Sequence, residues 1–404
     1  MSEYPESERT MNRFKTWIRT GRVARVKTVF LAVLLSAVLW EISLWQGEKI
    51  EPYAGDIQIR YHGQGVSRQA LEQIKEAGLK PEDESFPETA AWNVEYYVEA
   101  RNPVLNFKQD VTCIMVRGEM DQIVKDRLVA GTYGFGDDEE GCVVSSKTAW
   151  ELFGSTDVTG SWISVKGKRF VIRGVTASSY PMVMLPAKRL ETEFFPNVSF
   201  SYSGQEGLEG QAEEMIMRFG LPGHEIRING SIYYAMVRFC CTLPGWALLI
   251  WFWILMRRSR RLKKFDMQQA GRRGKTENHA KYRNWLRKVF SFAVMAGGVA
   301  ALLWYGFRFP GEFIPSRWSD FSFYAEKFTQ VKENLFDIAM LPKTRWDVEM
   351  IRAFAASVFC SVSAAALIII TGSLLLSMPD HTGQEQKASF SSNISNLNNL
   401  CINY

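Results

Sequence analysis

The sequence predicts an α-helical membrane domain of four spans plus an α+β extracytoplasmic core domain inserted between helices 1 and 2. Three observations lead there. The chain holds four apolar runs of about 20 residues. Its basic residues gather in blocks at the ends of those runs. A long stretch of alternating strand-like and helix-like segments separates the first run from the other three.

The first run, residues 28–46, is apolar except for Glu41, and at ~1.5 Å per residue it just crosses a ~30 Å hydrocarbon layer. A secretory signal peptide is the alternative. The run outlasts the usual apolar core of about 7–15 residues, and no small-x-small cleavage site follows Trp45, so a retained span is the better reading. The other runs cover residues 233–256, 289–307 and 353–377, each bordered by tryptophan, tyrosine or charge as a helix ending at an interface should be.

Charge orients these spans. Between Arg257 and Lys288 stand thirteen basic and two acidic residues, the excess that marks a cytoplasmic loop, and residues 1–27 carry a similar basic block. The connection from Arg308 to Arg352 is balanced, as an outside loop should be. Four crossings then place residues 47–231 outside and the polar tail, residues 378–404, inside, with both termini cytoplasmic in a cell or inner membrane. Basic residues placed this way serve membrane orientation and attraction to anionic lipid rather than nucleic acid. Six cysteines without paired spacing and four scattered histidines exclude a zinc constellation and a disulfide scaffold.

Within residues 47–231, Ser67 to Ala77 reads as a helix, with serine as its N-cap and Gly78 as its stop. Asn93 to Ala100, Val111 to Val116, Cys142 to Ser145, Trp162 to Val165 and Arg169 to Val175 read as strands. Gly167-Lys168 is the expected tight turn of the last two, and Leu208 to Phe219 is a second amphipathic helix.

The stretch GCVVSSKTAWELFG (141–154), followed by GSWISVKGKRFVIRGV (160–175), resembles the MacB-type periplasmic core domain. In that family a strand leads into a helix ending Leu-Phe-Gly, then a hairpin and Gly-Val. Val116-Arg-Gly118 and Leu128-Val-Ala-Gly131 resemble the same family's upstream strand and turn. The match runs from about Val66 to Val175, and the order of one span, a domain and three spans is that of MacB/FtsX-like permeases. The connection 308–352 is longer than expected of the family, and residues 391–404 have no counterpart.

The resemblance implies the permease subunit of an ABC-type transporter or mechanotransmission complex. ATP-Mg would be bound and hydrolysed by a separate cassette subunit, with no cofactor in this chain, and a second permease, a copy or a homologue, would complete a dimer. The residues agree that no phosphate loop is present: Gly274-Lys275-Thr276 has Gln269 where the first glycine of G-x-x-x-x-G-K-[ST] belongs, and it stands in a basic juxtamembrane stretch rather than after a buried strand. No nucleophile stands with a base, so the chain is not expected to be an enzyme. The alternative function is a membrane sensor with an extracytoplasmic ligand-binding domain. A sensor generally carries a cytoplasmic output domain, and about 27 residues follow Ser377.

Two groups of residues carry the functional expectations. Ala353, Ser357, Ser361 and Ala365 recur every four residues, a small-residue stripe that suits either packing within the chain or a dimer seam. Phe14 and Trp17 in the N-terminal segment, and Leu262, Phe265 and Met267 in the basic loop, are apolar residues among lysines and arginines. Lipid-surface contact explains them, and the resemblance adds contact with the ATPase. Of the remaining candidates, Glu41 and Arg238 lie near span ends, where snorkelling accounts for them. Cys113 and Cys142 are either a disulfide or buried thiols. The sequons at Asn197 and Asn229 fit chance.

Overall fold

The computed structural model describes residues 6–78, 86–134, 137–201, 208–223, 226–269, 277–306, 322–340 and 343–376. The chain opens with α1 (Glu6–Glu48), then β1 (Asp56–Arg60), β2 (Val66–Ser67), α2 (Arg68–Gly78), β3 (Glu88–Arg101), β4 (Lys108–Arg117) and β5 (Leu128–Gly131). It continues through β6 (Gly141–Ser145), α3 (Ser146–Phe153), β7 (Trp162–Val165), β8 (Lys168–Thr176), β9 (Met182–Pro186), β10 (Phe194–Phe195), β11 (Asn197–Ser201), α4 (Leu208–Arg218) and β12 (Ile226–Asn229). Four helices close it: α5 (Gly230–Gln269), α6 (Glu277–Gly306), α7 (Ser322–Met340) and α8 (Arg345–Leu376).

Among the described residues four segments are long and apolar enough to cross a membrane: Lys27–Tyr53, Gly230–Arg258, Trp285–Gly306 and Arg345–Leu376. They contain the four runs read from the sequence except that the third and fourth runs each end one residue later, and the chain is a multi-pass membrane protein. The chain divides into two compact units. One is Met1–Ser43 with Cys241–Leu303 and Val358–Tyr404; the other is Leu44–Cys240 with Trp304–Ser357.

In the first unit small residues set the helix contacts. A Cβ on Gly245 of α5 would stand 2.6 Å from Leu302 of α6, and one on Gly298 of α6 would stand 2.9 Å from Leu249 of α5, so leucine and glycine alternate across that seam. Trp40 Nε1 of α1 donates to the Cys241 carbonyl of α5 at 2.9 Å, one turn before Pro244, whose ring removes an N–H from the helix ladder. At the far end of the α5 span the Arg258 guanidinium donates to the Leu376 carbonyl at 2.8 Å and caps α8.

The second unit is built on a ten-stranded sheet in the order β12-β1-β11-β3-β4-β9-β6-β8-β5, with β7 bonded to both β3 and β8. Those last two pairings close β3, β4, β9, β6, β8 and β7 into a ring, so each of these six strands is paired on both sides, while β12 and β5 remain at the ends of the path. Alternation then sorts side chains to two cores. From β4, Val111, Cys113 and Met115 enter one, while Ile114 and Val116 enter the other. From β9, Val183 and Leu185 oppose Met182 and Met184 in the same way.

Sequence and structure agree closely over residues 141–176. Ser145 Oγ accepts from Thr148 N and caps α3, and Gly154 ends that helix at φ 72°. Ser67 caps α2 through Ala70 N. The β7–β8 turn differs by one residue from the expected Gly167-Lys168. Val165 pairs with Lys168, so the two turn residues are Lys166 and Gly167, at φ 51° and 75°, the positive pair that a type I′ hairpin needs.

Candidate functional site

The second unit has its polar focus on β1, which reads Asp-Ile-Gln-Ile-Arg and is buried at every position. Ile57 and Ile59 enter the large core on one face. The opposite face is polar, and each of its side chains finds a partner. Asp56 is held by Lys125 at 2.9 Å and by the Ser201 hydroxyl. Burial pushes its carboxyl above the usual range, and those two partners oppose the push. Gln58 Oε1 accepts from Arg60 at 2.8 Å.

Arg60 is the centre of the cluster. Its guanidinium donates to Gln58, to Asn197 Oδ1 at 2.8 Å and to Asp347 Oδ1 at 3.0 Å, and it lies 4.8 Å from the centroid of the Trp92 ring. Arg60 and Asp347 side chains are 4% and 5% exposed, so this is a buried ion pair. Burial pushes the guanidinium down, and the Asp347 carboxylate resists. The Nε of Arg60 has no acceptor among the described residues, so the pair contributes position more than net stability.

Asp347 is placed by the start of α8. Thr344 N donates to its Oδ2 at 2.9 Å, the Thr344 hydroxyl does the same, and Asp347 N donates back to Thr344 Oγ1 at 3.4 Å. Threonine three residues before an acid is a capping box, which satisfies the free N–H groups of the first turn. Its second oxygen is then left to reach Arg60. Between the two, Trp346 is 4% exposed in the core with Trp92, Ile114 and Met184, and Arg345 lies 5.1 Å from the Tyr180 ring. The first turn of α8 is thus fastened to the sheet by an ion pair, an indole and a cation–π contact.

Two of the other three spanning helices reach the same strand. α1 leads into β1 through the turn Glu51–Tyr53, and β12, hydrogen-bonded to β1, runs straight into α5. Asn229 Oδ1 accepts from Ser231 N at 3.0 Å and from its hydroxyl at 2.6 Å, which makes Asn229 the N-cap of α5. At Gly230 the two connections touch: a Cβ there would stand 1.8 Å from the Tyr53 carbonyl oxygen. Both sequon asparagines are therefore structural, Asn229 as a cap and Asn197 through Arg60 and the Trp92 carbonyl.

The predicted site residues fall elsewhere. Phe14 and Trp17 lie on α1 and Leu262, Phe265 and Met267 on α5, so both segments extend membrane-spanning helices rather than forming separate loops. At 40 residues α5 is ~60 Å long, about twice the hydrocarbon thickness. Of the small-residue stripe on α8, Ser357 and Ser361 are fully buried within the single chain, Ala353 is buried and Ala365 half-buried. Gly274-Lys275-Thr276 lies outside the described residues.

Cys113 and Cys142 are free thiols in one core. Strand β9 lies between β4 and β6, with Cys113 opposite Val183 and Cys142 falling opposite Leu185, so two strand spacings of ~4.8 Å and a two-residue offset keep their backbones more than about 9 Å apart, beyond the ~7 Å limit for a disulfide. Burial pushes the Cys113 thiol up to about 12 and raises Cys142 as well. Maleimide should therefore leave both unmodified in the folded protein and label both after denaturation, because the thiolate is the nucleophile. Labelling of either thiol in the folded chain, read by peptide mass, would contradict this core.

Among the described residues no three histidine, cysteine, aspartate or glutamate side chains are placed to hold a metal. A groove of about 840 Å³ opens between α2 and the ends of β3 and β4, with Leu71, Ile74 and Phe86 at its apolar wall. Its charged rim is engaged internally, by Lys75 with Asp137, Arg117 with Glu72 and Lys188 with Glu139.

No family model matches the sequence, and no curated protein is significantly similar to it. Solved structures are similar in part. The extracellular domain of the noncanonic ABC-type transporter YknZ from Gram-positive bacteria aligns over 96% of its length with 41% of this chain, at 16% identity and a TM-score of 0.33. The periplasmic region of MacB from Actinobacillus actinomycetemcomitans aligns over 96% of its length with 47% of this chain, at 10% identity and a TM-score of 0.38.

Proposed function

We propose that this chain is the permease subunit of an ABC-type complex, in which a separate ATP-binding-cassette protein binds ATP-Mg and the chain carries the resulting motion to its own sheet domain. The observation that carries this reading is the convergence of three spanning helices on β1. α1 leads into it through the turn Glu51–Tyr53, α5 is joined through β12, and α8 is clasped through Arg60 and Asp347. A displacement of any of these helices along its axis must load one strand whose every residue is buried. A receptor that only binds a ligand needs no such triple attachment.

The other end of the relay is the pair of helical extensions. By the charge rule they face the cytoplasm, as do both termini. The continuous α5 supplies what a transmission element needs, since a helix resists compression where a loop does not. Residues Leu262, Phe265 and Met267, with Phe14 and Trp17, would dock in a groove of the cassette subunit, with the surrounding lysines and arginines setting orientation and holding anionic lipid. A second permease, a copy or a homologue, completes the assembly. Because Ser357 and Ser361 are buried in the single chain, it would meet this chain on other faces.

The test is association in detergent with a cognate cassette protein. Phe265→Ala should weaken binding by about 1 kcal/mol or more, the loss expected for an apolar anchor, and Phe265→Ala with Leu262→Ala should weaken it further. Membrane insertion should not change. Unaltered pull-down by both single variants and by the double would remove the extension of α5 from the coupling surface.

A further inference from the structure

The connection between α6 and α8 contains α7, a helix with three different flanks. Phe323, Lys327, Val331 and Leu335 follow one another at four-residue steps and are half-buried, and α7 packs against β12. Tyr324, Phe328 and Phe336 are turned out, 53%, 74% and 61% exposed. At 100° per residue they lie immediately to one side of the half-buried row. Glu326, Thr329, Gln330 and Glu333 are exposed on the remaining arc.

Three aromatic side chains more than half exposed on one helix flank are costly to leave in water. What covers them follows from where the helix is tied. β12, against which α7 lies, ends at Asn229, and the span of α5 begins at the next residue, Gly230. The chain enters α7 from α6, whose span ends at Gly306 with Trp304 74% exposed, and it leaves toward α8, whose span begins at Arg345. The helix thus packs against the strand that runs directly into the α5 span, and in the chain it stands between the spans of α6 and α8.

We infer that α7 is an interfacial helix whose Tyr324, Phe328 and Phe336 flank enters the boundary between headgroups and acyl chains of the adjoining phospholipid leaflet. Its Phe323–Leu335 row is held by the sheet domain, and its acidic arc faces water. Lys332 is exposed in line between Phe328 and Phe336, and its four-carbon stem lets the ammonium rise to lipid phosphates from that depth. An aromatic flank beside a polar arc is the amphipathic division of a helix lying in the membrane plane, and Lys332 is the basic group that this helix sets at the lipid side. The bilayer surface and β12 would then be joined by one rigid element, and the sheet domain would rest on lipid as well as on its spans.

The experiment uses the full chain in nanodiscs of phosphatidylethanolamine and phosphatidylglycerol, with p-benzoylphenylalanine placed singly at Phe328, Phe336, Gln330 or Glu333. All four side chains are exposed, so folding is preserved, and gel filtration checks it. After irradiation, intact mass should show phospholipid adducts at 328 and 336, about tenfold above those at 330 and 333, since only the first pair meets acyl chains. Adducts at 328 to a second polypeptide would identify a protein-binding face instead. Equal yields at the four positions, or none at 328 and 336, would place α7 in water, and each of these results overturns the proposal.

Discussion

Asp347→Ala should destabilise the second unit by about 3–5 kcal/mol, the cost of stranding a buried charge whose partner has been removed. Arg60 is 4% exposed there and cannot turn to water without leaving Gln58, Asn197 and Trp92. The same substitution removes the acid of the capping box, adding about 1 kcal/mol. Thermal or denaturant unfolding of the chain in nanodiscs reads the loss. Arg60→Met combined with Asp347→Ala should recover most of it, because no unpaired charge remains and the methionine stem still packs on Trp92. The double variant also separates stability from transmission. It should bind the cassette subunit as before and hydrolyse ATP with it, while α8 has lost its polar grip on β1. If Asp347→Ala alone costs under about 1 kcal/mol, the ion pair is solvated and is not what holds the helix.

The sequence made the spans legible because an apolar run of fixed length has few other uses, and it made residues 141–176 legible because caps, a stop glycine and a hairpin glycine stand at their required spacings. It hid the hub for a physical reason. Asp56, Gln58 and Arg60 alternate with Ile57 and Ile59, which is the pattern of a strand with one wet face, but that face is covered by the first turn of a helix almost 290 residues later in the chain. No local pattern reports a partner so remote. The strands β9, β11 and β12 are short, and nothing local tells a buried strand of four or five residues from a helix fragment. One signal was available: Thr344-Arg-Trp-Asp347 is a capping box, and it sets the start of α8 eight residues before the apolar run begins at Ala353. The length of the 308–352 connection was also a signal, since a surplus of that size has room for a helix such as α7.

Gly230→Ala should prevent the second unit from closing normally. The added methyl would stand 1.8 Å from the Tyr53 oxygen and 2.7 Å from its carbonyl carbon, and both are backbone atoms that no rotamer change can move. Glycine is needed here for room, since the residue begins a helix and the obstacle is the turn that joins α1 to β1. Overpacking of a core ordinarily costs about 1–3 kcal/mol, and the upper end or beyond is expected where backbone must shift. Two spanning helices are displaced at once, because the contact lies where α1 enters the sheet and α5 leaves it. The measurements are the unfolding temperature and the yield of monodisperse protein, with Gly210→Ala as the control. Gly210 is exposed in α4 with no atom within 4 Å of the added Cβ, so that change should be neutral or stabilise by up to about 1 kcal/mol through helix propensity. Gly230→Ala protein as stable as the control would mean that the two connections do not touch and that α1 and α5 load β1 independently.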